Sequence, residues 1–130
     1  MANVNRGERP LSPHLSIYRP QITSISSILI RITGNALIVT TLMLVWWFLA
    51  LASGPEAFDV ANGFVTSWFG DIVLAFSLLG LWYHTLGGAR HLLWDTGRGL
   101  EIHTAERLGW ACVIGSVVLT LLTIILFWIF

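Results

Sequence analysis

The sequence lacks lysine altogether and contains a single cysteine, Cys112, in 130 residues. One thiol cannot close a disulfide within the chain, and alone it cannot hold an iron–sulfur cluster or a structural zinc ion. Charged residues are also scarce, at 11% of the chain, whereas 55% of the residues are hydrophobic and the mean hydropathy is +0.76. These values exclude an ordinary soluble domain and a redox centre built on clustered cysteines, and they favour a membrane protein.

Three apolar stretches account for most of the chain. They cover about residues 24–52, 68–94 and 108–130, and a membrane span needs roughly 20 apolar residues. We therefore predict an all-α membrane protein with three transmembrane helices, in which a segment of residues 1–23 precedes a membrane domain of residues 24–130. The first segment is polar and proline-rich and shows no signal-peptide pattern, so we expect insertion through the spans themselves.

The arginines predict the orientation of these spans. The loop after the first span contains Glu56 and Asp59 and no basic residue, whereas all the arginines fall on the other side of the three-span arrangement. The positive-inside rule then places the N-terminus and the second loop in the cytoplasm, and the first loop and the C-terminus in the periplasm. The residues concerned are Arg6, Arg9, Arg19, Arg31, Arg90, Arg98 and Arg107.

The third span carries a stripe of small and weakly polar side chains at helical spacing. The stripe consists of Cys112, Ser116, Thr120 and Thr123. Residues of this kind let transmembrane helices approach closely. The pattern predicts packing within this chain rather than against a partner.

A histidine deep inside the second span is the strongest functional signal. An ionisable residue at that depth is costly to place and usually serves a function. By helical periodicity, His84 shares one face with Ser77, Gly80, Gly87 and Gly88, so a flat and bulky group can lie against that face. Two interpretations stay open: His84 is an axial ligand of a haem, or it bonds to a neighbouring helix.

The other histidines bear on the first of these interpretations. His91 lies on the same face, but a rise of ~10.5 Å separates it from His84, too far for both to bind one iron axially. His14 and His103 lie outside the apolar spans. A haem with two histidine ligands therefore takes its second ligand from another membrane subunit. His91, as a polar contact, and Asp95, at the end of the same helix, are weaker site candidates.

A second polar group lies at the start of the first span. Arg31 is about two helical turns into the membrane, and Ser27 lies one turn before it on the same face. An arginine there must reach back to the surface or pair with an acid, a haem propionate or a polar ligand. Its guanidinium suits carboxylates and carbonyl oxygens, which include those of a quinone headgroup.

Two segments in order resemble the cytochrome b membrane-anchor subunits of succinate dehydrogenase, respiratory complex II: RPLSPHLSIYRPQITSISSILIRITG and YHTLGGARHLLWD. The resemblance covers nearly the whole chain. It implies a subunit that does not itself oxidise succinate, but pairs with a smaller three-span subunit and binds an iron–sulfur subunit and a flavoprotein subunit. Electrons from succinate then reach ubiquinone. A haem b lies between the two anchors, with one axial histidine from each.

Residue roles follow by position from this resemblance. His84 matches the axial ligand of the haem iron, and Ser27 and Arg31 match the serine and arginine of the ubiquinone site. Arg31 also resembles the family's contact to a haem propionate. Family members commonly carry a histidine directly before this arginine, where the present chain has Ile30. That departure removes one possible hydrogen bond to a propionate.

The expected location is a bacterial inner membrane rather than a mitochondrial one, and no nucleic acid is expected as a partner. Assembly of the four-subunit complex into trimers stays open. Two alternatives are kept. One is an anchor of the same fold that binds no haem, and the other is a small transporter subunit that relays protons or anions through Arg31 and His84.

Overall fold

Three of the four helices in the described part of the chain are long enough to cross a bilayer. The computed structural model describes residues 14–129, which contain helices and no strands. The helices are α1 (Ile22–Ser53), α2 (Pro55–Val65), α3 (Trp68–Asp95) and α4 (Ile102–Ile129). By length and composition, α1, α3 and α4 are candidate membrane spans, which confirms the predicted all-α class with three spans. Arg6 and Arg9, on which the predicted orientation partly rests, lie outside the described residues.

The junctions between helices follow from local sequence. Gly54 ends α1 with a φ of 129°, a backbone conformation that favours glycine. Pro55 then begins α2, where its missing N–H is harmless. At the start of α3, the Ser67 hydroxyl accepts a hydrogen bond of 3.2 Å from the Gly70 N–H and caps the helix. α1 has no such cap, because Gln21 makes no side-chain hydrogen bond to its first turn.

Helix α2 occupies the loop between the first and second spans, for which the sequence analysis gave no helix. It has 11 residues. Ala61 is fully buried, and the Trp47 indole N–H donates a 3.2 Å hydrogen bond to the Asn62 side chain. The Trp47 ring also meets Phe58 edge-on at 5.4 Å. These contacts hold α2 against the last turns of α1.

α1 and α3 run antiparallel, as a series of cross-helix contacts shows. The Thr40 and Ser77 hydroxyls are 2.5 Å apart, and nearer the start of α1 the His84 ring contacts the Ile30 carbonyl. The start of α1, the end of α3 and the start of α4 therefore share one end of the bundle, which we call the Ile22 end. The opposite end, with the end of α1, α2 and the start of α3, is the Ser53 end.

α4 packs through the stripe of small residues. Its buried positions are Ala105, Gly109, Cys112, Ser116 and Thr120. Thr123 continues the stripe and accepts a 3.0 Å hydrogen bond from the Trp82 indole N–H of α3. The predicted packing within this chain is therefore confirmed. The helix also begins earlier than the predicted span, at Ile102.

The interior of the bundle holds mostly small side chains. The buried apolar residues among those described are Ala50, Ala61, Tyr83, Ala105 and Cys112. Large apolar side chains cover the outside of the three long helices instead. A surface of this kind is unfavourable in water and matches the hydrocarbon of a bilayer.

Candidate functional site: a histidine-lined cavity between α1 and α3

His84 lies near the middle of α3 and faces α1. Its Nδ1 is 3.1 Å from the carbonyl oxygen of Ile30. A carbonyl oxygen only accepts hydrogen bonds, so Nδ1 carries the proton and Nε2 keeps its lone pair. The nearby Thr33 hydroxyl donates to the Leu29 and Ile30 carbonyls, at 2.9 and 3.1 Å, and its oxygen lies 3.4 Å from the same Nδ1. A histidine that ligates a metal usually has its second ring nitrogen fixed in this way.

A cavity of about 510 Å³ lies beside His84 on the outer side of the α1–α3 contact. Glycines form part of the cavity wall. No protein atom lies within 4 Å of the position that a Cβ on Gly88 would take, so the space beside this residue is open. Gly34 lets the two helices approach, since a Cβ there would lie 2.9 Å from His84 Cε1. The cavity is lined by Ile30, Arg31, Gly34, Asn35 and Ile38 of α1 and by His84, Gly88 and His91 of α3.

Arg31 and Asn35 supply polar groups to the α1 wall of this cavity. Arg31 is exposed, and its carbonyl accepts a 2.9 Å hydrogen bond from the Asn35 side chain. Ser27 is half-buried and lies one helical turn before Arg31. It is not among the residues that line the cavity. The structure thus brings Arg31 and His84 together and leaves Ser27 beside them, towards the Ile22 end.

The two weaker candidates differ in position. His91 lines the cavity, and its Nδ1 donates a 2.8 Å hydrogen bond to the Gly87 carbonyl on its own helix. Its ring also meets Trp94 edge-on at 5.2 Å. Asp95 is exposed at the end of α3 and is not a lining residue. His91 therefore belongs to the cavity, and Asp95 does not.

The sequence analysis missed one polar cluster inside the bundle. Arg90 is only 4% exposed, and its guanidinium donates a 2.9 Å hydrogen bond to the Ser26 hydroxyl. The Tyr83 hydroxyl donates a 3.1 Å hydrogen bond to the Ser26 carbonyl. From sequence, Arg90 contributed only to the charge distribution. The available signal was the presence of an arginine inside the second apolar stretch, two residues after Gly88.

No group of three or more histidine, cysteine or acidic side chains able to hold a metal ion occurs among residues 14–129. Three candidate spans surround a small-residue interior, and two histidines of α3 line an open cavity beside α1. These features define the class: a helical membrane subunit with an open polar cavity on its flank.

The family within this class is shown by comparison with known proteins. The succinate dehydrogenase/fumarate reductase transmembrane subunit family matches residues 5–123, and the chain belongs to it. The chain is 50% identical to the succinate dehydrogenase cytochrome b556 subunit of Paracoccus denitrificans over 130 residues, all of both chains. It is 41% identical to that of Rickettsia conorii over 115 residues, 88% of this chain and 90% of the relative. The family predicted from the two sequence segments is confirmed.

A plant relative extends the comparison beyond bacteria. The chain is 39% identical to the succinate dehydrogenase cytochrome b560 subunit of Marchantia polymorpha over 123 residues, 90% of this chain and 89% of the relative. All three relatives are named as cytochrome b subunits. The chain is accordingly a membrane subunit of this family and not its succinate-oxidising flavoprotein.

Proposed function

We propose that this chain anchors a succinate–ubiquinone oxidoreductase in the membrane, supplies one axial ligand of a haem b, and forms part of the ubiquinone-reduction site. The observation that carries the haem assignment is the orientation of His84. Its Nδ1 is bonded to the Ile30 carbonyl, so the nitrogen left for a metal is Nε2. The adjoining cavity has glycine-lined walls and lies between helices, which fits a flat macrocycle.

The remaining residues of the cavity fit the periphery of such a group. Arg31 suits a propionate because its guanidinium is always charged and donates two parallel hydrogen bonds to a carboxylate. Asn35 and His91 line the same cavity and add polar atoms. When bound, haem b supplies a one-electron redox centre near the quinone site. The second axial histidine then comes from a smaller membrane-anchor subunit that covers the open side of the cavity.

Ser27 and Arg31 are proposed to bind the ubiquinone headgroup at the Ile22 end. Ser27 is half-buried and Arg31 is exposed, one helical turn apart on α1, and both side chains are able to donate hydrogen bonds. During reduction the quinone oxygens gain negative charge before they gain protons. A fixed guanidinium beside such an oxygen stabilises that charge without reorganising. The protons come from water or from a partner residue.

The proposed assembly also includes an iron–sulfur subunit, a flavoprotein subunit and, for higher order, a trimer of heterotetramers. The described arginines cluster at or towards the Ile22 end, and the positive-inside rule places that end in the cytoplasm of a bacterial inner membrane. The soluble subunits dock there, next to Ser27 and Arg31. Family membership gives no support to the alternative of a small transporter, and the haem-free anchor is one outcome of the experiment below.

The test is a dithionite-reduced minus oxidised spectrum of the purified complex from the native chain and from His84→Ala. His91→Ala is the matched control, because His91 lines the same cavity and its Nδ1 is likewise bonded to a carbonyl. We expect a b-type band in the native complex and in His91→Ala, and its loss in His84→Ala.

Two other results contradict the haem assignment. A band unchanged in His84→Ala moves the ligand elsewhere, and no band in the native complex leaves a haem-free anchor. In the latter case the quinone site rests on Ser27 and Arg31 alone.

A further inference from the structure

Arg90 is a buried cation that the proposed function does not use. It lies inside the bundle at 4% exposure, between the start of α1 and the first half of α4. A Cβ on Gly109 of α4 would stand 3.5 Å from its Nη1, so the small-residue stripe makes room for the guanidinium. Its guanidinium carbon lies 4.7 Å from the centre of the Trp94 ring, within cation–π range. Burying a charged side chain costs free energy, so the burial of Arg90 calls for an explanation.

The polar partner of Arg90 is Ser26, the residue directly before the proposed quinone ligand Ser27. The Ser26 hydroxyl donates its own proton to the Thr23 carbonyl at 3.0 Å, and its lone pair accepts the Arg90 N–H at 2.9 Å. Ser26 is completely buried. The Nε of Arg90 has no hydrogen-bond partner among residues 14–129, so the bond to Ser26 is a large part of what this guanidinium gains in the interior.

Two of the points at which α3 holds α1 directly precede a proposed quinone ligand. Arg90 and Tyr83 hold Ser26, which precedes Ser27. His84 holds the carbonyl of Ile30, the residue before Arg31. Adjacent residues of an α-helix point about 100° apart, so fixing these two positions inward turns their successors outward.

Besides Ser26, the start of α1 is held by a 3.0 Å hydrogen bond from the Tyr18 hydroxyl to Ser24 and by the packing of Ile22 beside Gly109 of α4, and it has no helix cap. Gln21 makes no capping hydrogen bond, and the first turn of α1 contains no acidic residue. A rotation of about 20° at that end displaces a side-chain atom roughly 5 to 6 Å from the helix axis by about 2 Å. A displacement of that size is enough to disrupt a hydrogen-bonded ligand geometry.

We infer that Arg90 is a positioning residue for quinone binding: through Ser26 it holds the start of α1 in the rotation that presents Ser27 and Arg31 to the headgroup. This inference rests on the proposed quinone site. Arg90 itself does not touch the quinone. Without Arg90, a smaller fraction of the molecules has α1 in the rotation that binds quinone. The apparent affinity for quinone falls in proportion to that fraction. Turnover of bound quinone is then little changed.

The test compares Arg90→Met, Ser26→Ala and the double variant in the assembled complex. Succinate oxidation is measured with a short-chain ubiquinone and, separately, with a water-soluble dye that bypasses the quinone site. We expect Arg90→Met to raise the KM for ubiquinone about tenfold, with kcat changed less than threefold and dye reduction unchanged. Ser26→Ala acts through the same bond, so the double variant is no worse than Arg90→Met.

Two further variants complete the set. Arg90→Lys keeps a donor within reach of Ser26 and loses the stacking on Trp94, so its KM falls between those of the native chain and Arg90→Met. Arg98→Met is the control, because Arg98 is an exposed arginine of the turn after α3. Its KM is expected to equal that of the native complex.

The outcomes separate the inference from the proposed site. If Ser27→Ala and Arg31→Lys leave the KM unchanged, the quinone site itself is misplaced and the inference fails with it. If those variants raise the KM but Arg90→Met and Ser26→Ala do not, only the inference is overturned. Effects of Arg90→Met and Ser26→Ala that multiply in the double variant also overturn it. If Arg90→Met does not assemble, Ser26→Ala, which removes only one hydroxyl, decides the question.

Discussion

The His84 ring is held by the backbone of Ile30, through a hydrogen bond of 3.1 Å from Nδ1 to the carbonyl oxygen. From the family resemblance, the sequence analysis expected a histidine side chain at the position of Ile30. In this chain the side chain of Ile30 packs on Gly87 instead, while its carbonyl fixes the imidazole. The substitution therefore leaves the proposed iron ligand oriented, because a backbone carbonyl is present whatever residue stands there.

Gly34→Ala is expected to disturb His84 directly. The new methyl group would lie 2.9 Å from His84 Cε1, so the ring must shift by a few tenths of an ångström. We expect a displaced b-type absorption band or a loss of haem during purification. Gly63→Ala in α2 serves as the control, since a Cβ there meets no atom within 4 Å. Identical spectra for both variants would contradict the close approach of α1 to the ring.

Gly88→Ala tests whether a bound group occupies the cavity. A Cβ at Gly88 meets no protein atom within 4 Å, so the substitution leaves the chain itself unstrained and favours the helix. We nevertheless expect haem content to fall, because the methyl group enters the space assigned to the macrocycle. Haem content is measured per complex by pyridine haemochrome. A full complement of haem in Gly88→Ala would place the group away from this wall.

Ser27→Ala and Arg31→Lys are expected to raise the KM for ubiquinone. Each removes or shortens one hydrogen-bond donor to the headgroup, and Arg31→Lys also loses the forked geometry. We expect effects of about tenfold to a hundredfold in kcat/KM, with dye reduction unchanged. Ser53→Ala is the matched control, because that hydroxyl at the far end of α1 bonds only to its own helix at Leu49. Equal kinetics in all three variants would remove the quinone site from this face.

The hydrogen bond from Trp82 to Thr123 is expected to stabilise the packing of α3 on α4. Thr123→Val leaves the half-buried indole N–H of Trp82 without its acceptor, whereas Thr123→Ser keeps the hydroxyl. Polar bonds of this kind contribute about 1 kcal/mol between membrane helices. Thermal unfolding of the solubilised complex should therefore begin at a lower temperature for Thr123→Val. Equal thermal stability of the two variants would show that the hydrogen bond makes no net contribution to the stability of the complex.

Orientation is measurable by cysteine labelling in a Cys112→Ser background, because Cys112 is the single native thiol. We expect Glu56→Cys, at the Ser53 end, to react with an impermeant maleimide in intact spheroplasts. Glu101→Cys, at the Ile22 end, should react only after the membrane is opened. The reverse pattern would overturn the proposed topology and would place the quinone site on the periplasmic side.

The length of the apolar stretches predicted the spans, and helical periodicity predicted the shared face of His84 and His91, since both depend only on residues within one helix. The family resemblance implied that Arg31 and His84 contact the same haem, and the structure brings both residues to one cavity. The sequence analysis missed α2 because an 11-residue helix with Asn62 and Gly63 near its end resembles a loop.

The two neighbouring serines show where sequence reasoning stops. Ser26 and Ser27 are chemically identical, and only the rotation of α1 against α3 makes one buried and the other half-exposed. The same rotation buries Arg90, which the sequence presents simply as a positive charge. Such distinctions depend on contacts between helices, which no single-helix pattern contains.

Because the side chains inside the bundle are small, we expect substitutions by larger residues to be more damaging here than substitutions by smaller ones. In water-soluble proteins, trimming a large core residue opens a void and is the common route to instability. Here most large apolar side chains already face outwards, so trimming one of them removes little internal contact. Enlargement is the dangerous direction, at Gly109, Ser116 and Thr120 above all, because each extra carbon there forces two helices apart. Inherited or engineered damage to this subunit should therefore come mainly from gains in side-chain volume.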